Sequence, residues 1–226
     1  MEAFLKRPIA HRGLHNNKNI IENTIESFEL AIKYNYSIEL DIVLSKDREV
    51  MVFHDYDLNR LAGLNKLIKD CTSNELRNIK LLETNSVISS IDEVLYKINS
   101  KVPILIEIKE SSHPGIEERL FEIIRSYKGE IAIQSFNTKS IRWFRENAPF
   151  YKLGLVSNNP ELTVEEICEL GVDFLALDIN ILDTAVVRNL KNQEFQILTW
   201  TVDTLEKYKK SKKLAHNCIF EKIKIN

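Results

Sequence analysis

The sequence predicts an α/β protein with the fold of a (β/α)8 TIM barrel. Strand patterns alternate with helical patterns along almost the whole chain, and eight strands belong to that series. The length of 226 residues suits one barrel, and 44% hydrophobic residues are enough for a large core. We therefore expect residues 1–226 to form a single barrel domain, with its site at the carboxyl ends of the strands.

Short apolar runs bounded by polar residues predict the strands, and apolar positions three and four apart predict the helices. In the first helix Phe28, Ala31 and Ile32 form the apolar face, and Asn23 is the expected N-cap. The predicted strands are Ile9–His11, Ser37–Val43, Ile104–Lys109, Ile131–Phe136, Lys152–Val156, Phe174–Asp178, Gln196–Val202 and Asn217–Phe220. The predicted helices are Thr24–Tyr34, Ile91–Ile98, Ile116–Tyr127, Ser140–Glu146, Val164–Leu170, Ala185–Leu190 and Leu205–Lys210.

Two further features interrupt the repeat. After the second strand, a turn centred on Asp47 and Arg48 leaves room only for an antiparallel hairpin arm, which places His54 opposite Asp41 to within one residue. Residues 56–90 lack sustained periodicity and are interpreted as a small insertion before the next helix. The sequence ends six residues after Phe220, so an eighth outer helix is not expected and that flank is either exposed or covered differently.

Composition excludes several classes of partner. The net charge of −2 and the pI near 6.3 argue against nucleic acid. No apolar run approaches the ~18 residues of a membrane span, and no signal peptide precedes the first strand, so we expect a soluble, cytoplasmic protein without stable membrane insertion. The three cysteines lack metal-site spacing. The oligomeric state is left open.

Alternating charged and apolar residues mark a candidate site. Glu39 and Asp41 are two apart in a strand and point to one side, where two buried anions need a cation. A hard divalent metal with oxygen ligands is the simplest partner. Two histidines, His11 and His54, would add an acid and a base that work near neutral pH, and this combination indicates phosphate-ester chemistry.

Later strands add to the same mouth of the barrel. Glu107 ends the third strand and could complete a site of three carboxylates, while Arg12 and Lys109 could hold the negative oxygens of a phosphate. Phe136 and Trp200 end later strands and could form a wall of the pocket. Each residue also has a structural interpretation, such as a hydrogen-bonded histidine or an internal ion pair, but together these would gather five charges at one end of the barrel for no purpose.

These residues resemble the signature of the glycerophosphodiester phosphodiesterases over nearly the whole chain. The matching stretches are His11-Arg12-Gly13, Glu22-Asn23-Thr24, Phe28, Ala31, Glu39-Leu40-Asp41, Lys46-Asp47, Val52, His54-Asp55, Arg60, Ile91-Asp92-Glu93-Val94-Leu95, Glu107-Ile108-Lys109, Gln134-Ser135-Phe136 and Trp200-Thr201-Val202. The chain departs from the family pattern at Arg48 (usually glycine), Ile21 (proline), Ser89-Ser90 (Pro-Thr) and Phe220-Glu221 (Thr-Asp). These changes concern substrate preference more than chemistry.

The resemblance implies a metal-dependent barrel enzyme that hydrolyses small glycerophosphodiesters to sn-glycerol 3-phosphate and an alcohol. It implies that three carboxylates bind a divalent cation (Mg²⁺, Ca²⁺ or Mn²⁺), that two histidines act as general base and acid, and that two cationic side chains stabilise the phosphoryl oxygens. By motif position these are Glu39, Asp41 and Glu107, then His11 and His54, then Arg12 and Lys109. Two alternatives remain: an activity like phospholipase D on lysophospholipids, and a catalytically inactive binding barrel.

Overall fold

The computed structural model describes Phe4, residues 6–109 and residues 114–225. The strands in chain order are β1 (Ile9–Ala10), β2 (Ser37–Leu44), β3 (Val50–Val52), β4 (Asp57–Leu58), β5 (Leu64–Leu67), β6 (Ile104–Ile108), β7 (Ile131–Ser135), β8 (Lys152–Ser157), β9 (Phe174–Asp178), β10 (Gln196–Val202) and β11 (Asn217–Phe220). The α-helices are α1 (Ile25–Lys33), α2 (Asn59–Ala62), α3 (Ser73–Leu76), α4 (Ile91–Ile98), α5 (Ile116–Ile124), α6 (Thr138–Asn147), α7 (Val164–Leu170), α8 (Ala185–Asn192) and α9 (Leu205–Leu214).

A barrel of eight parallel strands is closed by the pairing of β1 with both β2 and β11. Ile9 lies in register with Ser37 on one side and with Ile219 on the other. Helices α4 to α9 lie between successive strands from β5 to β11, and α1 lies between β1 and β2. This arrangement confirms the predicted fold class.

The predicted hairpin arm is formed by β3, which pairs with β2 in antiparallel fashion. Ile42 pairs with Val52, so the register differs by one residue from the expected one, and the N–H of Phe53 donates to the carbonyl of Asp41. The cause is a turn of three residues, 46–48, instead of two: the N–H of Ser45 donates to the carbonyl of Glu49. Arg48 closes this turn with a φ of 63°.

Asn23 is not the N-cap of the first helix, as the sequence predicted. Thr24 takes that position: its side chain accepts from the N–H of Ser27, and the Ser27 side chain accepts from the N–H of Thr24. Asn23 instead has a φ of 55° and donates from Nδ2 to Oδ2 of Asp41 at 2.9 Å. Asn23, the residue before the cap, therefore binds Asp41 and does not start the helix.

The segment 56–90 contains only short elements, consistent with its lack of periodicity. It includes the β4–β5 hairpin, a 3-10 turn at Ile68–Asp70 and the helices α2 and α3. Its buried side chains, among them Leu58 and Leu76, pack with Val43, Met51 and Phe53 from the hairpin arm. The insertion is thereby anchored to the arm that carries the chain towards His54.

The flank where an eighth outer helix would lie is a groove. Among the described residues no helix follows β11; residues 222–225 run along the barrel, and the Tyr36 hydroxyl donates to the carbonyl of Ile225. The groove has a volume of about 700 Å³ and is lined by these residues, by α1 and by the chain around Pro8. None of the described helices has both the length and the apolar surface that crossing a bilayer would require.

The core has an outer and an inner layer. Between the strands and the helices lies the larger cluster, and a smaller one fills the barrel with Phe4, Ile9, Leu105, Ala132, Val156, Phe174, Ala176, Leu198 and Ile219. Gly154 on β8 lies in register with Phe174 on β9. A Cβ at Gly154 would come within 2.1 Å of Cε2 of Phe174, so the ring occupies the space that glycine leaves.

We expect Gly154→Ala to lower the free energy of unfolding by about 2 kcal/mol, because the added methyl overpacks the barrel interior. Urea unfolding measures this loss. In the double variant Gly154→Ala/Phe174→Leu the smaller side chain accommodates the methyl, so the total loss should be less than the sum of the single losses. Strictly additive losses would contradict the packing described for this pair.

Candidate active site

Three buried carboxylates meet near the carboxyl ends of β2 and β6. Glu39 and Asp41 are two residues apart on β2 and so lie on one side of the strand, while Glu107 on β6 is in register with Asp41. One oxygen of each carboxylate lies within 4.8 Å of those of the other two. The three residues are only 1%, 1% and 8% exposed. The structure thus brings together the three residues that the sequence proposed as metal ligands.

Burial and mutual repulsion shift the pKa values of these three carboxylates. Burial raises the pKa of Glu39 well above its usual value, and the charges of Asp41 and Glu107 raise it further. Burial and the Asp41 charge also raise the pKa of Glu107. Burial opposes the ionisation of Asp41 as well, but neighbouring cations, led by Arg12, hold the pKa of Asp41 below its ordinary value. The trio therefore needs additional positive charge before all its members can be ionised together.

Arg12 supplies part of that charge from the turn after β1. Its Nε lies 3.2 Å from Oδ2 of Asp41, and its backbone N–H donates to Oε2 of Glu39 at 2.8 Å. Arg12 has a φ of 54° and the next residue, Gly13, a φ of 78°. A Cβ on Gly13 would lie 2.3 Å from Oγ of Ser27, so glycine allows the turn to approach α1.

Lys109 supplies the second cation from the end of β6. Its Nζ donates to Oε1 of Glu107 at 2.9 Å and lies 3.7 Å from Oδ1 of Asp41. With all three carboxylates ionised, the cluster together with Arg12 and Lys109 would carry one net negative charge. A divalent cation would reverse this to one net positive charge, which a phosphodiester anion would neutralise.

The donor set fits a hard divalent cation. All three carboxylates offer oxygen, the ligand type that Mg²⁺, Ca²⁺ and Mn²⁺ prefer. Beside them, Gln134 on β7 donates from Nε2 to Oε2 of Glu107 at 3.1 Å, while its Oε1 is buried and has no hydrogen-bond partner. A buried carbonyl oxygen without a partner next to an anionic cluster is a further sign that the cluster accommodates a cation.

The two histidines flank this cluster and are held in the same way. Nδ1 of His11 lies 2.8 Å from Oε2 of Glu221, and Nδ1 of His54 lies 2.7 Å from Oδ1 of Asp55. Burial lowers the pKa of His11, although the bond to Glu221 opposes the change. Burial opposes ionisation of Asp55, but hydrogen bonds from His54 and Arg60 lower the pKa of Asp55 to about 2. These contacts engage Nδ1 of each ring, so Nε2 is the nitrogen that remains for other contacts.

All nine residues that the sequence singled out line one small cavity of about 90 Å³. Its wall includes the ring of Trp200, whose Nε1 donates to the carbonyl of Ala176 at 2.9 Å. The rings of Phe136 and Trp200 meet edge to face with centroids 5.6 Å apart, and Phe136 is 40% exposed. The nine are His11, Arg12, Glu39, Asp41, His54, Glu107, Lys109, Phe136 and Trp200.

Sequence reasoning missed the polar network that supports the site. Glu22, noted in the sequence only as part of the stretch Glu22-Asn23-Thr24, accepts from Nη1 of Arg12 at 2.6 Å and from Nη1 and Nη2 of Arg60 at 2.9 and 2.7 Å. Arg60 also binds Asp55, the partner of His54. The signals in the sequence were the matching stretches in which Glu22, Asp55 and Arg60 stand; Glu221 had none except its departure from the family pattern.

Comparison with known proteins places the chain among phosphodiesterases. Residues 11–221 match the model of the glycerophosphoryl diester phosphodiesterase family. The glycerophosphodiester phosphodiesterase of Caldanaerobacter subterraneus subsp. tengcongensis is 33% identical over 215 residues, covering 88% of this chain and 86% of that protein.

Solved structures share the fold. The glycerophosphodiester phosphodiesterase of Thermotoga maritima is 27% identical, with a TM-score of 0.78 over 94% of this chain and 92% of that one. A phosphodiesterase of Oleispira antarctica, solved with the product sn-glycerol-3-phosphate, is 22% identical, with a TM-score of 0.86 over 97% of this chain and 94% of that one.

The ion-pair network predicts a pH-dependent contribution of Glu22 to stability. Burial opposes its ionisation, but Arg60, Arg12 and Asn17 hold the pKa of Glu22 well below its usual range. A carboxylate whose pKa is lowered by folding stabilises the folded state above its ordinary pKa, and this stabilisation is lost as the pH falls. We expect Glu22→Gln to lower the free energy of unfolding by about 3 kcal/mol at pH 7, because it breaks a buried pair.

Urea unfolding at pH 7 and pH 3 tests this dependence. The deficit of Glu22→Gln should shrink at pH 3, where the wild-type carboxylate has lost part of its contribution. The exposed Glu83 provides the matched control, and Glu83→Gln should have little effect at either pH. An equal deficit for Glu22→Gln at both pH values would contradict the role of its charge.

Proposed function

Because the chain belongs to the glycerophosphoryl diester phosphodiesterase family and is a phosphoric diester hydrolase, we propose that it cleaves small glycerophosphodiesters to sn-glycerol 3-phosphate and an alcohol with a divalent cation and two histidines. One observation carries this proposal: a single cavity is lined by three carboxylates, two cationic side chains and two histidines. The product found in the Oleispira antarctica enzyme, sn-glycerol-3-phosphate, supports the same product here.

Glu39, Asp41 and Glu107 would hold the cation, since their oxygens already converge. Bound there, the cation would supply positive charge against the phosphoryl oxygens and so offset the charge that builds up in the transition state. Arg12 and Lys109 lie beside these carboxylates and would contact the remaining phosphoryl oxygens. Release of their ion pairs by the cation would make both side chains available to the substrate.

His11 and His54 are the proposed proton-transfer groups. One removes a proton from the nucleophile, which is either water or the 2-hydroxyl of the glycerol half, and the other donates a proton to the leaving alkoxide. Each ring is anchored through Nδ1, so that Nε2 is the nitrogen for transfer. Both assignments of acid and base agree with this geometry.

The cavity that holds these charged side chains is small, with a volume of about 90 Å³. The glycerol phosphate half would therefore enter it, with Phe136 and Trp200 beside it, and the alcohol half would remain towards the exterior. An elongated acyl chain would find no enclosed space within this cavity. This geometry favours small soluble diesters over lysophospholipids.

The proposal predicts metal-dependent turnover of glycerophosphocholine. We expect release of glycerol 3-phosphate, measured with a coupled dehydrogenase, to stop in excess EDTA and to return with Mg²⁺, Ca²⁺ or Mn²⁺, because the three ligands are hard oxygens. Micellar lysophosphatidylcholine is assayed in parallel and should be the poorer substrate. Full activity in EDTA would refute the metal assignment, and exclusive turnover of the micellar substrate would favour the phospholipase D alternative.

Glu107→Gln should weaken metal binding and turnover together, since it removes one of the three anionic ligands. Calorimetric titration with Mn²⁺ measures binding without reference to activity. Glu161→Gln, at an exposed position, is the control and should leave both quantities unchanged.

His11→Ala and His54→Ala should each reduce kcat by ~10²–10⁴-fold, the range for positioned proton-transfer groups. Circular dichroism should show an unchanged fold. The double variant should lose less than the product of the single losses, because both groups act in one reaction. A single variant with near-native kcat would return that histidine to a structural role.

A further inference from the structure

We propose that Glu221 is a positioning residue that holds the ring of His11 with Nε2 towards the cavity. The inference deepens the proposed function and rests on it, because it concerns the orientation of one of the two proton-transfer groups. Glu221 itself does not line the cavity, and its effect on turnover would act through His11.

Strand register explains why these two residues meet although 210 positions separate them. Ala10 at the end of β1 is in register with Phe220 at the end of β11, and the N–H of His11 donates to the carbonyl of Phe220 at 2.9 Å. His11 and Glu221 are the next residue on each strand. Closure of the barrel thus places the carboxylate directly beside Nδ1 of the imidazole.

The carboxylate determines which nitrogen of the ring carries the proton. The hydrogen bond with His11, together with the nearby His15, keeps the pKa of Glu221 well below its usual range, so the group is an anion that only accepts. Nδ1 of His11 must therefore be the donor across the 2.8 Å contact. In the neutral ring Nε2 then has its lone pair free, which is the form that can take up a proton.

Glu221 is itself fixed from several sides. Its N–H donates to the carbonyl of Val202 at 3.1 Å, and its Oε1 accepts from Nζ of Lys222 at 2.5 Å. Nε2 of the buried His15 lies 3.7 Å from Oε2. His15 is held in turn, with Nδ1 3.1 Å from Oδ1 of Asn17. A side chain restrained in this way can impose one orientation on its partner.

The other histidine has an equivalent support, which strengthens the inference. Asp55 binds Nδ1 of His54 at 2.7 Å and is restrained by Arg60. Asp55 follows His54 directly in the sequence, whereas Glu221 comes from the last strand. Both rings therefore present the same nitrogen to the cavity, through carboxylates of different origin.

Three variants test the inference by steady-state kinetics with glycerophosphocholine and Mg²⁺. Glu221→Gln keeps the size of the side chain, but its amide can also donate to Nδ1 and so stabilise the wrong tautomer. We expect kcat to fall by about 10²-fold, while KM stays within about twofold because Glu221 lies outside the cavity. Glu221→Asp restores the acceptor and should recover most of the loss. Glu161→Gln, an exposed change of the same type, should match the wild type.

Nuclear magnetic resonance of ¹⁵N-labelled imidazoles tests the contact independently of turnover. The chain has five histidines, and His11→Ala assigns the His11 signals. In the wild type Nδ1 of His11 should be the protonated nitrogen, and Glu221→Gln should shift the ring towards the other tautomer. If the wild type turned over no glycerophosphodiester, the proposed function would fail, yet these spectra would still decide whether Glu221 sets the tautomer.

Either of two results would overturn the inference. One is a wild-type His11 protonated at Nε2, or a tautomer that does not respond to Glu221→Gln. The other is a kcat of Glu221→Gln within about threefold of the wild type, far below the loss expected when a histidine tautomer is no longer controlled.

Discussion

The repulsion among three buried carboxylates is the constraint on which the rest of the site depends. Glu39, Asp41 and Glu107 lie on two neighbouring strands and face the barrel interior, where a buried anion without a cationic partner costs free energy. Cations and a hydrogen-bond donor surround these carboxylates: Arg12 and Lys109 contact them directly, and the neutral amide of Asn23 donates to Asp41. Arg12 and Lys109 offset two of the three negative charges that full ionisation of the cluster would produce, so an added cation would complete the compensation.

Charged residues outside the carboxylate cluster hold the side chains next to the cluster in their orientations. Glu22 binds both Arg12 and Arg60, and Arg60 binds the partner of His54. The carboxylate of Glu22 therefore connects the arginine beside the three buried carboxylates with the aspartate that contacts His54. Because Glu22 and Asp41 both form ion pairs with Arg12, the guanidinium is held between two anions and cannot rotate freely. Rigid placement of this kind favours catalysis, since charges already oriented need no rearrangement during the reaction.

The sequence predicted the barrel and the nine residues of the cavity, because both depend on short-range patterns. Period-two alternation showed the strands, and the carboxyl ends of parallel strands share one mouth of the barrel.

The sequence could not predict the contacts that depend on strand register and on turn length. The turn at 46–48 has three residues, which moved the arm by one position. Asn23 looked like a cap because its short polar side chain suits one, but its partner is Asp41. Glu221 is distant in sequence from every other site residue, so only the closed barrel reveals its neighbour.

The pairing of β1 with β11 affects the order in which the parts of the site form during folding. Synthesis proceeds from the amino terminus, so His11 is made before the other seven strands of the barrel, while the carboxylate beside it follows the eighth. Seven of the eight strands can pair without that strand, yet the imidazole then has no anionic neighbour to orient it. The final pairing both seals the sheet and completes the proton-transfer group. A nascent or partly folded chain would thus bring Glu39, Asp41 and Glu107 together before His11 was oriented.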